Sequence, residues 1–204
     1  MRARPQHIEL THDEYKTCKE IGAQLVINNR VDGSNDYAPV VHKRDQYGLL
    51  GCIGEVGFAR YIGIQPNWNR MKSSQGRGDI DVGELWEIRT TQQNACGLNG
   101  SPLTIWKHNL EKSKTYYSPF VKVCVRFKSE DRPPICEIFG WEMGYIIALE
   151  ERLKPRRIGM GDPVLERQDE CLRAFVDPQK DIAEASQLKK IWLEIQRNYN
   201  EEIF

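Results

Sequence analysis

The glycine-rich segment GCIGEVGFARYIGI, residues 51 to 64, constrains the fold more than any other part of this sequence. It lies in a predicted helix from about Tyr47 to Ile62, which ends at Gly63, and it holds glycines at positions 51, 54 and 57. Each glycine in a helix interior costs about 0.5–1 kcal/mol relative to alanine. Glycines this dense indicate that another backbone passes close to the helix.

The same helix carries a glutamate on its apolar side. Glu55 shares that side with Cys52 and Ala59 at helical spacing. A carboxylate placed there loses its hydration, which costs several kcal/mol unless a partner compensates. Glu55 therefore either lies at the edge of the face, paired with an arginine such as Arg60 or Arg89, or belongs to a polar site.

Residues 76 to 92, GRGDIDVGELWEIRTTQ, predict a short β-hairpin. Side chains alternate between the two faces of a strand. Trp86 and Ile88 therefore point to one face, and Glu87 and Arg89 point to the other. The second face is either exposed to solvent or forms one wall of a metal site.

The remaining periodic segments predict a mixed arrangement of helices and strands. They are a helix over 12–29, loops through Arg44 and over 66–78, strands over 103–107, 120–127 and 135–141, a helical stretch through Leu153, and a final amphipathic helix. This order predicts an α/β (α+β) domain with a central mixed β-sheet flanked by helices. We expect an N-terminal helix and loop (1–46), a core (47–145), and a C-terminal helical extension packed on the same domain (146–204).

The composition gives no general attraction to nucleic acid. Lys plus Arg and Asp plus Glu number 29 each in the 204 residues, so any such binding must come from a local patch. No stretch approaches the ~20 apolar residues of a membrane helix, and the N-terminus lacks the apolar region of a signal peptide. We expect a soluble, intracellular protein that does not enter membranes.

The six cysteines are scattered, with no C-x-x-C pair and no histidine cluster to complete a zinc set. We expect them to be reduced and mostly buried thiols.

The hairpin offers oxygen ligands for a hard cation. Asp81 ends its first strand and Glu87 lies on its second, with the carbonyl of Ile88 nearby and Glu55 on the helix across from them. Mg²⁺ is typically held by one or two carboxylates together with water and substrate phosphate. These residues could supply such a set.

Three segments follow one another: GCIGEVGFARYIGI with a glutamate on a helix, GDIDVG with an aspartate on a strand, and WEIRTT with Glu-x-Arg on the next strand. This order resembles the PD-(D/E)XK nuclease superfamily, particularly its small phage- and virus-type members. The following strands and FGWEMG resemble that superfamily as well, so the similarity spans roughly residues 47 to 145. The resemblance implies a restriction-endonuclease-like core. It also implies a Mg²⁺- or Mn²⁺-dependent endonuclease, which is a phosphodiesterase acting on nucleic acid, and DNA is the expected substrate. The protein would act in a bacterial or virus-infected cell.

The resemblance also assigns roles to residues. Asp81 and Glu87 would bind the metal, Glu55 would be an additional ligand or a base beside it, and Asp79 is the fallback ligand. Arg89 takes the place usually held by lysine. Arginine cannot act as a base at neutral pH, although it can clamp a phosphate.

Two alternatives follow from Arg89. The chain could be a catalytically inactive nuclease-fold module that binds nucleic acid or a protein partner. The acids of the hairpin could instead be ordinary surface charges.

Basic and amide side chains flank the predicted centre. Arg70, Lys72 and Arg77 precede it, Gln92 continues its strand, and Lys107 follows. We expect Arg77, Lys72, Gln92 and Lys107 to contact nucleic acid, because such side chains commonly bind phosphate and sugar.

Overall fold

The computed structural model describes residues 5–31, 41–72, 80–93, 103–106, 116–129, 131–149, 153–154, 164–167 and 172–201. The helices are α1 (His12–Val31), α2 (Val41–Tyr61), α3 (Trp68–Lys72), α4 (Gly144–Leu149) and α5 (Pro178–Glu201). The strands are β1 (Gln6–Glu9), β2 (Glu87–Gln92), β3 (Leu103–Trp106), β4 (Pro119–Arg126), β5 (Ile135–Met143), β6 (Leu153–Lys154) and β7 (Val164–Arg167).

Four strands form a mixed sheet in the order β1-β5-β4-β2. β5 pairs antiparallel with β1 and with β4, whereas β2 pairs parallel with β4. A three-stranded antiparallel sheet has the order β3-β7-β6. The prediction of a mixed α/β fold with a central mixed sheet and helices is confirmed.

Helix α2 packs against one face of the four-stranded sheet. Ile53 and Val56 of α2 share a buried core with Val121 and Val123 of β4. Phe120 faces the opposite side of β4 and packs in a smaller core with β3 and α4. The sheet is therefore covered on both faces, and β2 stands at its edge.

Two of the three α2 glycines lie in close contact with the sheet, although the nearest atoms belong to side chains rather than to the predicted backbone. A Cβ added at Gly54 would lie 2.0 Å from Oγ1 of Thr90 on β2, and one added at Gly57 would lie 2.4 Å from Sγ of Cys136 on β5. Gly51 has nothing within 4 Å of that position. Gly54 and Gly57 therefore let α2 lie close to β2 and β5.

The end of α2 follows the predicted glycine cap. Gly63 has a φ of 76°, and the N–H groups of Gly63 and Ile64 bond to the carbonyls of Arg60 and Ala59 at 3.1 and 2.9 Å. This pattern satisfies carbonyls that have no partner inside the helix.

Several predicted boundaries were wrong. Helix α2 begins at Val41, so residues 41–44 are helical rather than a loop. The predicted loop over 66–78 contains α3, strand β1 was not predicted, and β5 continues to Met143 where a helix was expected. The predicted hairpin has no regular first strand within the described residues: Val82 and Trp86 form an isolated antiparallel bridge before β2.

The prediction of reduced cysteines was wrong for Cys124. This residue is disulfide-bonded. Cys18, Cys52 and Cys136 are free and buried, as predicted.

Within the ranges given above, no helix is both long and apolar enough to cross a membrane.

Candidate functional site

A tight turn fixes Asp81 beside the first residues of β2. Val82 and Trp86 exchange two backbone hydrogen bonds at 2.9 and 3.1 Å, which close the turn. The N–H of Ile88 then donates to Oδ2 of Asp81 at 2.7 Å. Because β2 is the edge strand among the described strands, this carboxylate satisfies an amide that none of those strands reaches.

Glu87 points to the face of β2 that also carries Arg89. Its side chain is only 4% exposed, so the interpretation of this face as solvent-exposed surface is wrong for Glu87. Oε1 of Glu87 is buried and has no hydrogen-bond donor among the described residues. A buried carboxylate oxygen without a donor costs free energy, which indicates a position that favours a cation or a proton.

Arg70 joins Glu55 to Asp81. Its Nη2 lies 2.5 Å from Oε2 of Glu55 and 3.1 Å from Oδ1 of Asp81. Glu55 of α2 and Asp81 of the turn therefore contact the same nitrogen of Arg70. The required partner of Glu55 is Arg70 rather than Arg60, which bonds to Glu14 and to the carbonyl of Glu9.

Arg89 approaches the same group of acids from β2. Its Nη1 lies 3.3 Å from the carbonyl oxygen of Ile88, 3.6 Å from Oε2 of Glu87 and 3.9 Å from Oδ2 of Asp81. Its guanidinium also lies over the ring of Phe120, 5.1 Å from the centroid. One cationic nitrogen is thus surrounded by three oxygens that could also serve a hard cation.

The electrostatics of the three acids are coupled. Burial raises the pKa of Glu55 to about 8, and the charge of Asp81 adds to this rise while Arg70 opposes it. Burial likewise raises the pKa of Glu87 to about 8, with Asp81 adding and Arg89 opposing. Without a further cation, Glu55 and Glu87 therefore tend to hold protons near neutral pH.

The two arginines stand where a metal ion would have to bind. Among the described residues, no group of three or more Asp, Glu, His or Cys side chains forms a ready arrangement for a metal. The donor chemistry nevertheless fits a hard cation, since all the oxygens belong to carboxylates or a carbonyl. Binding would require Arg89 or Arg70 to move aside.

The predicted nucleic-acid contacts are mostly outside the described residues. Gln92 ends β2 and is partly exposed. Lys72 ends α3, but its side chain is not among those described, and Arg77 and Lys107 lie outside the described residues, as does the fallback ligand Asp79.

Arg70 is the site residue that the sequence interpretation misplaced. It was assigned to a basic surface loop, yet its side chain is only 16% exposed. Asn67 caps the N-terminus of the short helix α3, since its Oδ1 accepts the N–H of Arg70 at 3.1 Å. The Pro66-Asn67 pair was the available signal, since proline and asparagine commonly stand at helix starts.

The chemistry of the site is inferred from its own residues. No family model, no curated protein and no solved structure matches this chain.

Proposed function

We propose that this protein is a metal-dependent nuclease that hydrolyses phosphodiester bonds of nucleic acid, with DNA as the expected substrate, on a restriction-endonuclease-like core. One observation carries the proposal. Glu55, Asp81 and Glu87, from a helix, a turn and an edge strand, converge on one place together with Arg70 and Arg89. Clustered buried acids with raised pKa values are typical of functional sites.

Asp81 and Glu87 would hold Mg²⁺ or Mn²⁺ together with the carbonyl of Ile88, and Glu55 would lie beside them as an additional ligand or as a base. Oε1 of Glu87, buried without a donor, supports this assignment. When bound, a divalent cation supplies a Lewis acid that activates water and offsets the charge on the phosphate.

Arg70 and Arg89 would bind the scissile phosphate once a cation has taken over their contacts with the acids. A guanidinium can form two parallel hydrogen bonds to phosphate, which orients the group and stabilises its developing charge. Arg89 remains charged at neutral pH and therefore cannot take a proton from water. Glu55, ionised beside the bound cation, would be the candidate proton acceptor.

Incubation of the purified full chain with DNA tests the proposal. We expect cleavage with Mg²⁺ or Mn²⁺ and none with EDTA. Absence of cleavage of single-stranded DNA, duplex DNA and RNA in either metal would overturn the proposed activity.

A second candidate is a module on the same fold that binds nucleic acid or a protein partner without catalysis. It is favoured by the position of the Arg89 Nη1, which already lies among the three oxygens proposed as metal ligands. This candidate predicts salt-dependent binding of DNA without turnover. A gain of metal-dependent cleavage in Arg89→Lys would identify such a module as a nuclease that lost its activity through the arginine.

The stability of the metal-free protein should fall as the pH rises. The pKa values of Glu55 and Glu87 increase on folding from 4.5 to about 8, so the folded state holds more protons than the unfolded state in this window. Each of these carboxyls therefore favours folding below about pH 4.5 and loses that contribution as the pH passes through about 8. We expect the melting temperature in EDTA to fall between pH 6 and pH 9 by roughly 5 °C or more, and saturating Mn²⁺ to reverse the loss.

The variant Glu87→Gln is the control for this pH dependence. Its melting temperature should change less with pH than that of the wild type, because the amide does not ionise. Identical pH profiles for the two proteins would contradict the assignment of the raised pKa to Glu87.

A further inference from the structure

A groove of about 520 Å³ lies between α5 and the turn that connects Asp81 to Glu87. Leu85 of the turn and Leu193 of α5 contribute its apolar surface, and Lys189, Lys190 and Arg197 contribute cations. We call this feature the α5 groove. Its α5 residues recur at spacings of three, four and seven, so they form one stripe along the helix.

Within the described part of the chain, no carboxylate lies within ion-pair distance of Lys189, Lys190 or Arg197, and Glu87 acts on Lys189 only at longer range. Two acids, Glu84 and Glu194, also line the groove, which leaves one net positive charge. Unpaired cations beside an apolar surface favour an anionic ligand that also carries apolar groups.

The α5 groove is adjacent to the carboxylate site. Burial lowers the pKa of Lys189, and the charge of Glu87 opposes that change, so the lysine lies within electrostatic reach of the carboxylate. Leu85 lies in the turn that carries Asp81 at one end and Glu87 at the other. A chain-like ligand lying in the groove would therefore lead directly to the acids.

The spacing of the cations fits a nucleic-acid strand. Lys190 and Arg197 are seven residues apart in α5, which corresponds to about 10 Å along the helix axis. This length is longer than the 3.4 Å axial rise per nucleotide of a duplex, so Lys190 and Arg197 can contact different phosphates of one strand. Leu85 and Leu193 offer apolar contacts for sugars or bases.

We propose that the α5 groove binds the sugar-phosphate backbone of the substrate strand and directs it towards Asp81 and Glu87. This inference rests on the proposed nuclease function and names the surface that receives the substrate. Lys190 and Arg197 bind phosphates, and Lys189 binds the phosphate nearest to the acids.

Binding of a fluorescein-labelled DNA oligonucleotide, single-stranded or duplex, to the full chain in EDTA tests this inference. The dissociation constant is measured by anisotropy between about 50 and about 200 mM KCl. We expect Lys190→Ala/Arg197→Ala to weaken binding and to reduce the slope of log K against log salt by about 2. The matched control Lys16→Ala/Lys180→Ala removes two exposed cations that do not line the groove, and it should retain most of the affinity.

The outcomes separate this inference from the proposed function. Equal affinity and equal slope in Lys190→Ala/Arg197→Ala and the wild type would overturn the inference, even if the wild type cleaves DNA with Mg²⁺. Tighter salt-dependent binding of polyglutamate than of DNA would also overturn it, because the groove would then accept acidic polypeptide. Failure of the nuclease function instead appears as absent cleavage by the wild type. Melting curves of both double variants verify that each is folded.

Discussion

Metal-dependent cleavage by this protein is expected to fall by at least about 10³-fold in Asp81→Asn and in Glu87→Gln, which corresponds to ~4 kcal/mol of transition-state stabilisation. Each amide keeps the volume of the acid but removes the charge that would hold the cation. The measurement is the initial rate of DNA cleavage in Mg²⁺ and in Mn²⁺ at saturating metal.

The variant Glu87→Gln should be at least as stable as the wild type. The carboxyl of Glu87 is buried with one oxygen lacking a donor among the described residues, so replacing it by the neutral amide should leave the melting temperature at pH 8 unchanged or higher. Loss of activity together with retained stability is typical of a residue kept for function.

The control for these variants is Glu20→Gln, which changes an exposed acid on α1. It should cleave at the wild-type rate. Wild-type rates in Asp81→Asn and Glu87→Gln would instead assign the acids of the turn to a structural role.

The free energy of unfolding is expected to fall by about 2–3 kcal/mol in Gly57→Ala. A Cβ at this position would lie 2.4 Å from Sγ and 2.7 Å from Cβ of Cys136. That contact is close to the backbone of β5, so rotation of the thiol alone does not relieve it. The expected decrease in melting temperature, measured by circular dichroism or calorimetry, is roughly 5–10 °C.

Gly51→Ala is the matched control in the same helix. Nothing lies within 4 Å of the position that its Cβ would take, so the better helix propensity of alanine should raise the free energy of unfolding by about 0.5–1 kcal/mol. Equal effects of the two substitutions would contradict the close approach of α2 to β5.

The sequence predicted the close approach to α2 but not which glycines require it. The cost of glycine in a helix interior indicated that a neighbour lies near, and Gly54 and Gly57 confirm this. The rotation of α2 against the sheet decides that Gly51 faces open space. That rotation depends on packing between distant parts of the chain, which local spacing does not encode.

The need of Glu55 for a partner could also be predicted, because a carboxylate on an apolar face must be compensated. The identity of that partner could not be predicted. Arg70 lies in α3, a helix of five residues, and so short a helix has too little periodicity to stand out from a basic loop. Its position depends on the chain connection between α2 and the turn at Asp81, which is a tertiary feature.

The structure of the hairpin and of strand β1 could not be predicted from local sequence either. Val82 and Trp86 pair as a single bridge, because the partner of β2 in the sheet is β4, more than 25 residues later in the sequence. Strand β1 has four residues and, among the described strands, pairs with the distant β5. Alternation predicted that Glu87 and Arg89 share a face, but the burial of that face depends on these long-range pairings.

Diffraction from crystals soaked in Mn²⁺, with the anomalous signal of the metal, tests the central claim most directly. We predict one Mn²⁺ coordinated by carboxylate oxygens of both Asp81 and Glu87, with the Arg89 guanidinium displaced from its position among them. No Mn²⁺ at saturating concentration, with Arg70 and Arg89 still in contact with the three acids, would contradict the claim that this cluster is a metal site.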